Sequence, residues 1–292
     1  MDQFLQLLVA GLATGAVYAL AAMGFTLLWQ TAGTINFAQG EFVMLPAFLM
    51  LGWMSLGGLE PWPAFALTVL CSLLLLGLAF KRALADPLMR HDVLTMVIAT
   101  IALGLFLKES VKELWSNEAQ PFPDLLPVGS LQLGGVVLSL RDIVVFLAAA
   151  GLALGLQLFL ARTRTGRSMQ AVAQNREVAR IVGIDVPRMV LLTFLVNALL
   201  VSVAALLVTP VYLAKFDLGE SLGLMAFIAA IVGGFNQTRG ALVGGLLVGL
   251  LDNFSAAYLS AAYRNAFPLL LLVVIILLRP QGLLGRAEER QV

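Results

Sequence analysis

The chain has 292 residues, of which 18 are Lys or Arg and 17 are Asp or Glu, so charged residues make up only 12% of it. A soluble domain carries roughly 25% charged residues, whereas 60% of this chain is hydrophobic. These proportions exclude an ordinary water-soluble globular protein. The formal net charge of +1 also argues against a nucleic-acid partner, because a phosphate-binding surface needs a large excess of basic residues.

Long stretches without Asp, Glu, Lys or Arg separate the charged residues. They cover residues 3–40, 42–59, 61–80, 93–107, 143–161, 189–214 and 221–238. A helix that spans the hydrocarbon core of a bilayer needs roughly 17 to 25 residues. We therefore predict an all-α fold, a polytopic membrane helix bundle that forms a single transmembrane domain over residues 1–292. A β-barrel is disfavoured because its alternating strands give a much weaker hydropathy signal.

Hydropathy and the positions of Gly and Pro give the predicted helices in chain order. These are 4–29, 41–57, 62–80, 93–114, 141–161, 189–210, 222–236, 240–260 and 266–279, which makes eight or nine membrane segments. The first segment has Asp2 instead of a basic n-region and is longer than a signal peptide, so we expect it to remain as a membrane helix. The single cysteine, Cys71, is expected to be a buried thiol because it lies in an apolar run.

The basic residues indicate which loops face the cytoplasm. Residues 162–188 contain six arginines against Glu177 and Asp185, which gives a net charge of +4 and predicts a cytoplasmic loop. The basic residues at 81–90 and after 278 predict the same side. Residues 108–142 carry three bases and five acids and are predicted to lie outside. Counting back along the segments then places the N-terminus outside.

Two glycine-containing stretches interrupt the apolar segments, at residues 33–41 and at residues 233–240. Paired interruptions in the two halves of a chain are typical of discontinuous helices in inverted repeats around a transport path. Irregular backbone is tolerated at membrane depth only where it is buried or lines a cavity. The alternative is that each stretch is an ordinary turn at the cytoplasmic face.

Within the predicted cytoplasmic loop, residues 167–182 alternate apolar positions with arginines, and Gly183 and Pro187 follow where a helix would end. This pattern predicts one short amphipathic helix. It either lies in the headgroup layer of the membrane or occupies a groove in a second protein.

The sequence contains no arrangement of residues typical of an enzyme, a metal site or a cofactor site. His91 is the single histidine, and the GxxxxGK[ST] pattern that binds ATP phosphates is absent. A gradient-driven transporter needs ionisable groups inside the membrane. Only Glu41 and Asp252 are predicted to be deep, and neither has an obvious partner in the sequence.

Small residues recur at four-residue spacing in two predicted helices. Gly11, Gly15 and Ala19 form one series, and residues 240–249 contain two overlapping series. Such residues let helix backbones approach closely in lipid. We expect them to be packing surfaces, within the chain or against a second subunit.

Three segments resemble those of a known family. Residues 35–42 read INFAQGEF after a long first helix, residues 165–184 read TGRSMQAVAQNREVARIVGI, and residues 279–285 read RPQGLLG. The first looks like a family signature, the second resembles a cytoplasmic coupling loop, and the third resembles the usual exit from the membrane. The whole chain thus resembles the permease subunit of bacterial ABC transporters that import leucine, isoleucine and valine.

The resemblance implies both partners and residue roles. The partners are a homologous second permease subunit, two cytoplasmic ATP-binding subunits that hydrolyse ATP, and a periplasmic or extracellular substrate-binding protein, assembled in the bacterial inner membrane. In the coupling loop, the residues implied to receive the motion of the ATPases are Gly166, Arg167, Ala171, Asn175, Glu177, Ala179 and Gly183. In the first motif, the residues predicted to line the substrate path are Asn36, Gln39, Gly40 and Glu41.

The chain also departs from the family pattern. Pro46 replaces part of a Gly-Ala-Tyr run and is expected to kink its helix, and residues 236–239 replace a Gly-Ser-x-Pro turn. Similar permeases transport urea or short amides, and in them a histidine tends to stand where this chain has Gln39, which favours amino acids here. The residues also leave open an ion-driven secondary transporter or channel, and a structural membrane subunit without a path.

Overall fold

The computed structural model describes residues 2–89, 92–115, 117–123, 125–127, 129–133 and 136–285. Over these residues the protein is all-α apart from one small β-hairpin. The predicted helices are all found, with ends shifted by a few residues, and the predicted 62–80 helix continues to Leu88.

Among the described residues, the first part of the chain contains five α-helices. They are α1 (Asp2–Ala32), α2 (Gln39–Ser55), α3 (Pro61–Ser72), α4 (Asp86–Leu88) and α5 (Val93–Leu114). Two π-helical stretches, Leu73–Ala79 and Lys81–Ala85, connect α3 to α4, so that 61–88 is one helical rod. Helix α3 starts with a proline, whose fixed φ suits the first turn of a helix and which has no N–H to leave without a partner.

The second part begins with an antiparallel hairpin that the sequence did not predict. Its strands are β1 (Ser130–Leu133) and β2 (Val136–Ser139). The helices that follow are α6 (Leu140–Arg162), α7 (Arg164–Gln174), α8 (Arg176–Ile181), α9 (Val186–Tyr212), α10 (Leu218–Gly233), α11 (Thr238–Tyr258) and α12 (Ala266–Leu278).

Among the residues described, six helical segments are long and apolar enough to cross a membrane. They are Gln3–Ala32, Pro61–Leu88, Val93–Leu114, Leu140–Arg162, Val186–Tyr212 and Thr238–Tyr258. Helices α10 and α12 are apolar but shorter. The long uncharged stretches of the sequence thus correspond to continuous apolar helices.

The chain divides into two compact units, and the division falls within α1, α6 and α10. The first unit comprises the described residues of Met1–Thr26, Pro127–Ala153 and Met225–Val292. Here α1 packs on α11 through small residues: an added Cβ on Gly15 would lie 2.8 Å from the Leu246 Cα atom, and one on Gly245 would lie 2.5 Å from the Ala19 Cα atom. The predicted packing role of the glycine series is therefore confirmed within this chain.

The second unit comprises the described residues of Leu27–Leu126 and Leu154–Leu224. Helix α2 lies in its core, with most of its side chains buried on all sides. The Phe42 ring meets the Phe80 ring edge-on at 4.9 Å, and Phe80 contacts Phe194 of α9 at 5.7 Å between centroids. A helix that is apolar all round is expected to be buried in this way.

The burial of Cys71 differs from the prediction. It is only partly buried, because an apolar run in this protein also supplies the exposed faces of long helices. Apolar composition therefore did not distinguish a core position from an outward-facing one.

Candidate functional site

The break between α1 and α2 is held by a buried network of amide side chains. Gly33 directly follows helix α1; its φ of +61° favours glycine, and its N–H donates to the Trp29 carbonyl at 2.9 Å. Gln39 Nε2 donates to Asn197 Oδ1 at 2.7 Å, and Asn197 Nδ2 donates back to Gln39 Oε1 at 3.1 Å. Both side chains are buried, so this reciprocal pair fixes the start of α2 against α9.

Two further hydrogen bonds fix the backbone of the break. Asn36 Oδ1 accepts from the Ala38 N–H at 3.0 Å, which closes a local turn. The Phe37 N–H donates to Thr100 Oγ1 of α5 at 3.1 Å. The irregular backbone therefore has polar partners in the interior of the second unit.

Glu41, the third residue of α2, is the acidic residue of this site. It is only 8% exposed, and its Oε2 atom has no hydrogen-bond partner within the described part of the chain. Glycines lie on two sides of the carboxyl group. An added Cβ on Gly219 would lie 2.7 Å from Oε2, and one on Gly104 would lie 3.6 Å from the Glu41 Cγ atom. The carboxyl group thus occupies space that larger residues would fill.

An ion pair lies next to Glu41. Lys108 Nζ of α5 contacts Glu220 Oε2 at 2.6 Å, and the Glu220 side chain is 71% exposed. Lys108 acts electrostatically on Glu41 as an attractive charge, whereas Glu220 and Asp217 act as repulsive ones. Acidic groups therefore outnumber the base around the buried carboxyl group.

The first break packs on a segment that has the same residue spacing. Phe37-Ala38-Gln39-Gly40-Glu41 and Phe216-Asp217-Leu218-Gly219-Glu220 share the spacing Phe-x-x-Gly-Glu. In each copy the helix begins one residue before the glycine. The two glycines pack backbone to backbone, and an added Cβ on Gly219 would lie 2.6 Å from the Gly40 carbonyl oxygen. The repeated spacing was the sequence signal for this pair.

The 233–240 stretch forms a turn between α10 and α11 in the first unit. The N–H groups of Leu283 and Leu284 donate to the carbonyls of Val232 and Gly233, each at 2.9 Å. The C-terminal exit segment thus caps this turn. The interpretation of this stretch as the counterpart of the 33–41 break in an inverted repeat stays a prediction.

The predicted coupling helix over 167–182 is two helices. Asn175 has an extended backbone between α7 and α8, and its Oδ1 accepts from the N–H groups of Glu177 and Val178, each at 3.0 Å. Asparagine is a preferred N-cap, so it starts α8 where a continuous apolar pattern predicted one helix.

The predicted coupling residues fall into buried and exposed sets. Gly166 and Ala179 are buried, and a Cβ on Gly166 would collide with the Phe159 carbonyl oxygen at the end of α6. Gly183, with a φ of +85°, lets the chain leave α8. The exposed or partly exposed residues of the predicted set are Arg167, Ala171, Asn175 and Glu177.

Arg176 joins α8 to the end of α1 and was not predicted as a site residue. Its Nη2 atom donates to the Thr31 carbonyl at 2.6 Å. Burial lowers the pKa of the Arg176 guanidinium from its ordinary value. A cation is favoured at a helix C-terminus, where carbonyl groups lack helical partners. Because six arginines occur in this loop, the sequence did not single out the one that reaches α1.

Asp252 has partners that the sequence did not reveal. Arg264 donates to it from Nε at 2.5 Å and from Nη2 at 2.6 Å, and the Tyr18 hydroxyl donates at 3.0 Å. Asp252 is therefore paired within the first unit, and the expectation of a deep acid without a partner was wrong. The pairing joins residues far apart in the sequence.

Comparison with known proteins identifies the family. Residues 7–276 match the family described as branched-chain amino acid transport system, permease component. The chain is 33% identical over 301 aligned positions to the high-affinity branched-chain amino acid transport system permease protein BraD of Pseudomonas aeruginosa, covering 99% of this chain and 98% of that protein. It is 29% identical to the corresponding permease protein LivH of Escherichia coli, with the same two coverages.

A probable branched-chain amino acid transport permease protein LivH of Methanocaldococcus jannaschii is also similar, at 26% identity over 91% of this chain and 88% of that protein. These matches span both units and all of the long apolar helices. The protein is thus a multi-pass membrane protein that belongs to the family of branched-chain amino acid transport system permease components.

Proposed function

We propose that this protein is the transmembrane permease subunit of an ATP-driven importer of branched-chain amino acids. The observation that carries the proposal is the family match over nearly the whole chain, with relatives named for this transport system. The protein acts as one permease domain beside a homologous second permease subunit. Two cytoplasmic ATPases hydrolyse ATP, and an external binding protein delivers the amino acid.

The proposed topology has eight or nine spans in the bacterial inner membrane, with the N-terminus outside. The six long apolar helices supply most of them, and the shorter α2, α10 and α12 supply the remainder. The +4 loop over 162–188 is cytoplasmic, and the hairpin of β1 and β2 lies on the opposite side.

The proposed ATPase contact is the segment formed by α7 and α8. Three apolar side chains at the end of this segment are well exposed, Val178 at 53%, Ile181 at 82% and Val182 at 67%. An exposed apolar patch among arginines suits a groove on a partner protein. The Arg176 bond to Thr31 then connects this segment to the break that follows α1.

The proposed substrate path runs beside the first break. Asn36, Gln39, Gly40 and Glu41 combine irregular backbone, buried amides and a buried carboxyl group in one place. Discontinuous helices in transporters present such backbone and helix ends to polar substrates. Alternating access would then require these contacts to rearrange during the ATPase cycle.

Purification and reconstitution test the proposal. The tagged protein is expected to bring ATP-hydrolysing subunits with it, and vesicles containing the assembled complex and its binding protein should accumulate leucine, isoleucine and valine only with ATP. Accumulation of urea or short amides instead would reassign the substrate. Uptake by the protein alone under an ion gradient would overturn the ABC assignment, and ATPase-bound complexes without any uptake would indicate a structural subunit.

A further inference from the structure

Glu41 is a buried carboxyl group with hydrogen-bonding capacity that the protein leaves unused. Its Oε2 atom is inaccessible and has no hydrogen-bond partner among the residues described, although the whole side chain is more than nine-tenths buried. Leaving a buried acceptor without a partner is costly, and more so when it is charged. An unsatisfied carboxylate oxygen beside a break in two helices therefore suits a ligand that brings hydrogen-bond donors.

Glu41 differs from its counterpart in the Phe-x-x-Gly-Glu repeat by its surroundings. It lies in the first turn of α2, where the positive end of the helix dipole stabilises a negative charge. Its copy in the repeat, Glu220, has the same place in α10 but is exposed and bonded to Lys108. The two glutamates of one motif thus have different roles, and only Glu41 faces inward without a cation bound to it.

The surrounding charges indicate the sign of the ligand group. Lys108 Nζ contacts Glu220 directly and acts on Glu41 only through its field, whereas Asp217 and Glu220 add negative potential. An anionic group would meet three acids and one engaged base. A cationic donor would satisfy Oε2 and reduce the repulsion among the acids.

We propose that the Glu41 carboxylate binds the α-ammonium group of the amino acid as it passes through the permease. This inference rests on the proposed function and assigns to the permease a binding contact of its own, separate from the external binding protein. An ammonium group has three donors and no acceptor, which complements a carboxylate. Gly104 and Gly219 place no side chain of their own beside the carboxyl group, and because Oε2 is inaccessible in this structure, the ammonium group reaches it only when the surrounding contacts rearrange during the transport cycle.

Chemical protection of the carboxyl group tests the contact without depending on transport. The purified complex is treated with the apolar reagent dicyclohexylcarbodiimide, and modification of Glu41 is measured by peptide mass spectrometry. Leucine and 3-methylbutylamine, which carry the ammonium group, should slow modification of Glu41 roughly tenfold. A tenfold change corresponds to a free-energy difference of about 1.4 kcal/mol. The acid 4-methylpentanoate, which lacks the ammonium group, should leave the rate unchanged.

Modification of Glu220 in the same samples is the internal control, and its rate should not change with leucine, 3-methylbutylamine or 4-methylpentanoate. Sodium chloride and ammonium chloride at the same concentration form two further arms. Equal protection by these salts would indicate a site for inorganic cations and would overturn the proposal. Protection by 4-methylpentanoate alone would overturn it as well, because the site would then recognise the carboxylate.

Uptake by variants provides a second measurement. In vesicles, Glu41→Gln should lower leucine uptake per assembled complex roughly tenfold, while Glu109→Gln, on the exposed pair with Lys112, should leave it unchanged. If Glu41→Gln fails to assemble, the protection of the wild-type carboxyl group still decides. Wild-type leucine uptake without protection of Glu41 would refute this inference alone, whereas ATP-driven uptake of none of the three amino acids would refute the proposed function.

Discussion

Replacing Asp252 with asparagine should strongly destabilise the first unit, because the substitution removes the charge from a buried ion pair. Asp252 is 1% exposed and accepts hydrogen bonds from Arg264 and Tyr18, whereas the Arg264 side chain is 32% exposed. Removing one partner of a buried pair costs about 3–5 kcal/mol. Arg264 can regain part of its hydration, so we expect a loss at the lower end, about 3 kcal/mol in the free energy of unfolding.

A double-mutant cycle separates the pair from the individual side chains. The free energy of unfolding in detergent micelles is measured for the wild type, Asp252→Asn, Arg264→Gln and the double variant, with a coupling energy of about 2 kcal/mol expected. The exposed Lys112–Glu109 pair, with a 3.1 Å contact, is the control and should give below about 0.5 kcal/mol. A coupling energy for Asp252 and Arg264 no larger than that of the control would refute the reasoning.

Three further predictions concern the second unit and the proposed outer face. Arg176→Gln weakens the bond to Thr31 and should reduce uptake several-fold while the ATPases remain bound. The control Arg180→Gln changes an exposed arginine of the same short helix and should leave uptake unchanged. Equal uptake in both variants would argue against transmission through the Arg176–Thr31 bond. Gly40→Val should lower the amount of folded protein because the added Cβ would meet the Gly219 backbone. Gly104→Ala should express normally, because its added Cβ would lie 3.6 Å or more from the nearest atoms. Both amounts are measured by fluorescence-detected gel filtration. A cysteine in place of the exposed Ser130 should react with an impermeant thiol reagent in intact spheroplasts, and reaction only after lysis would reverse the proposed topology.

Residue patterns predicted the position of the candidate site but not all of the side chains that form it. The glycine-containing stretch 33–41 located the break, because Gly33 and Gly40 lie where the chain must leave one helix and pass another closely. Asn197 and Lys108 were not predicted, since the position of a polar residue within a helix carries no sign of which distant residue it faces. Their roles follow from contacts with Gln39 and Glu220, far away in the sequence.

The capping preference of a single residue predicts one helix boundary better than apolar periodicity does. The apolar pattern over 167–182 is continuous, yet the chain forms two helices because Asn175 caps the second one with its own side chain. The preference of asparagine for the N-cap is a local property of the sequence, and at this position it outweighs the continuous apolar periodicity. The hairpin over 130–139 was missed because its short strands lie in a loop of mixed polarity.

The sequence by itself determined the all-α class, the long apolar helices and the family, because uncharged stretches of membrane-spanning length and three motifs are local properties of the chain. Only the tertiary structure decided which residues meet. It paired Asp252 with Arg264, joined Arg176 to Thr31 and set the two Phe-x-x-Gly-Glu segments against each other. These contacts depend on how helices pack, and in an apolar chain many packings satisfy the same hydropathy pattern, so that the few polar residues acquire their roles only in three dimensions.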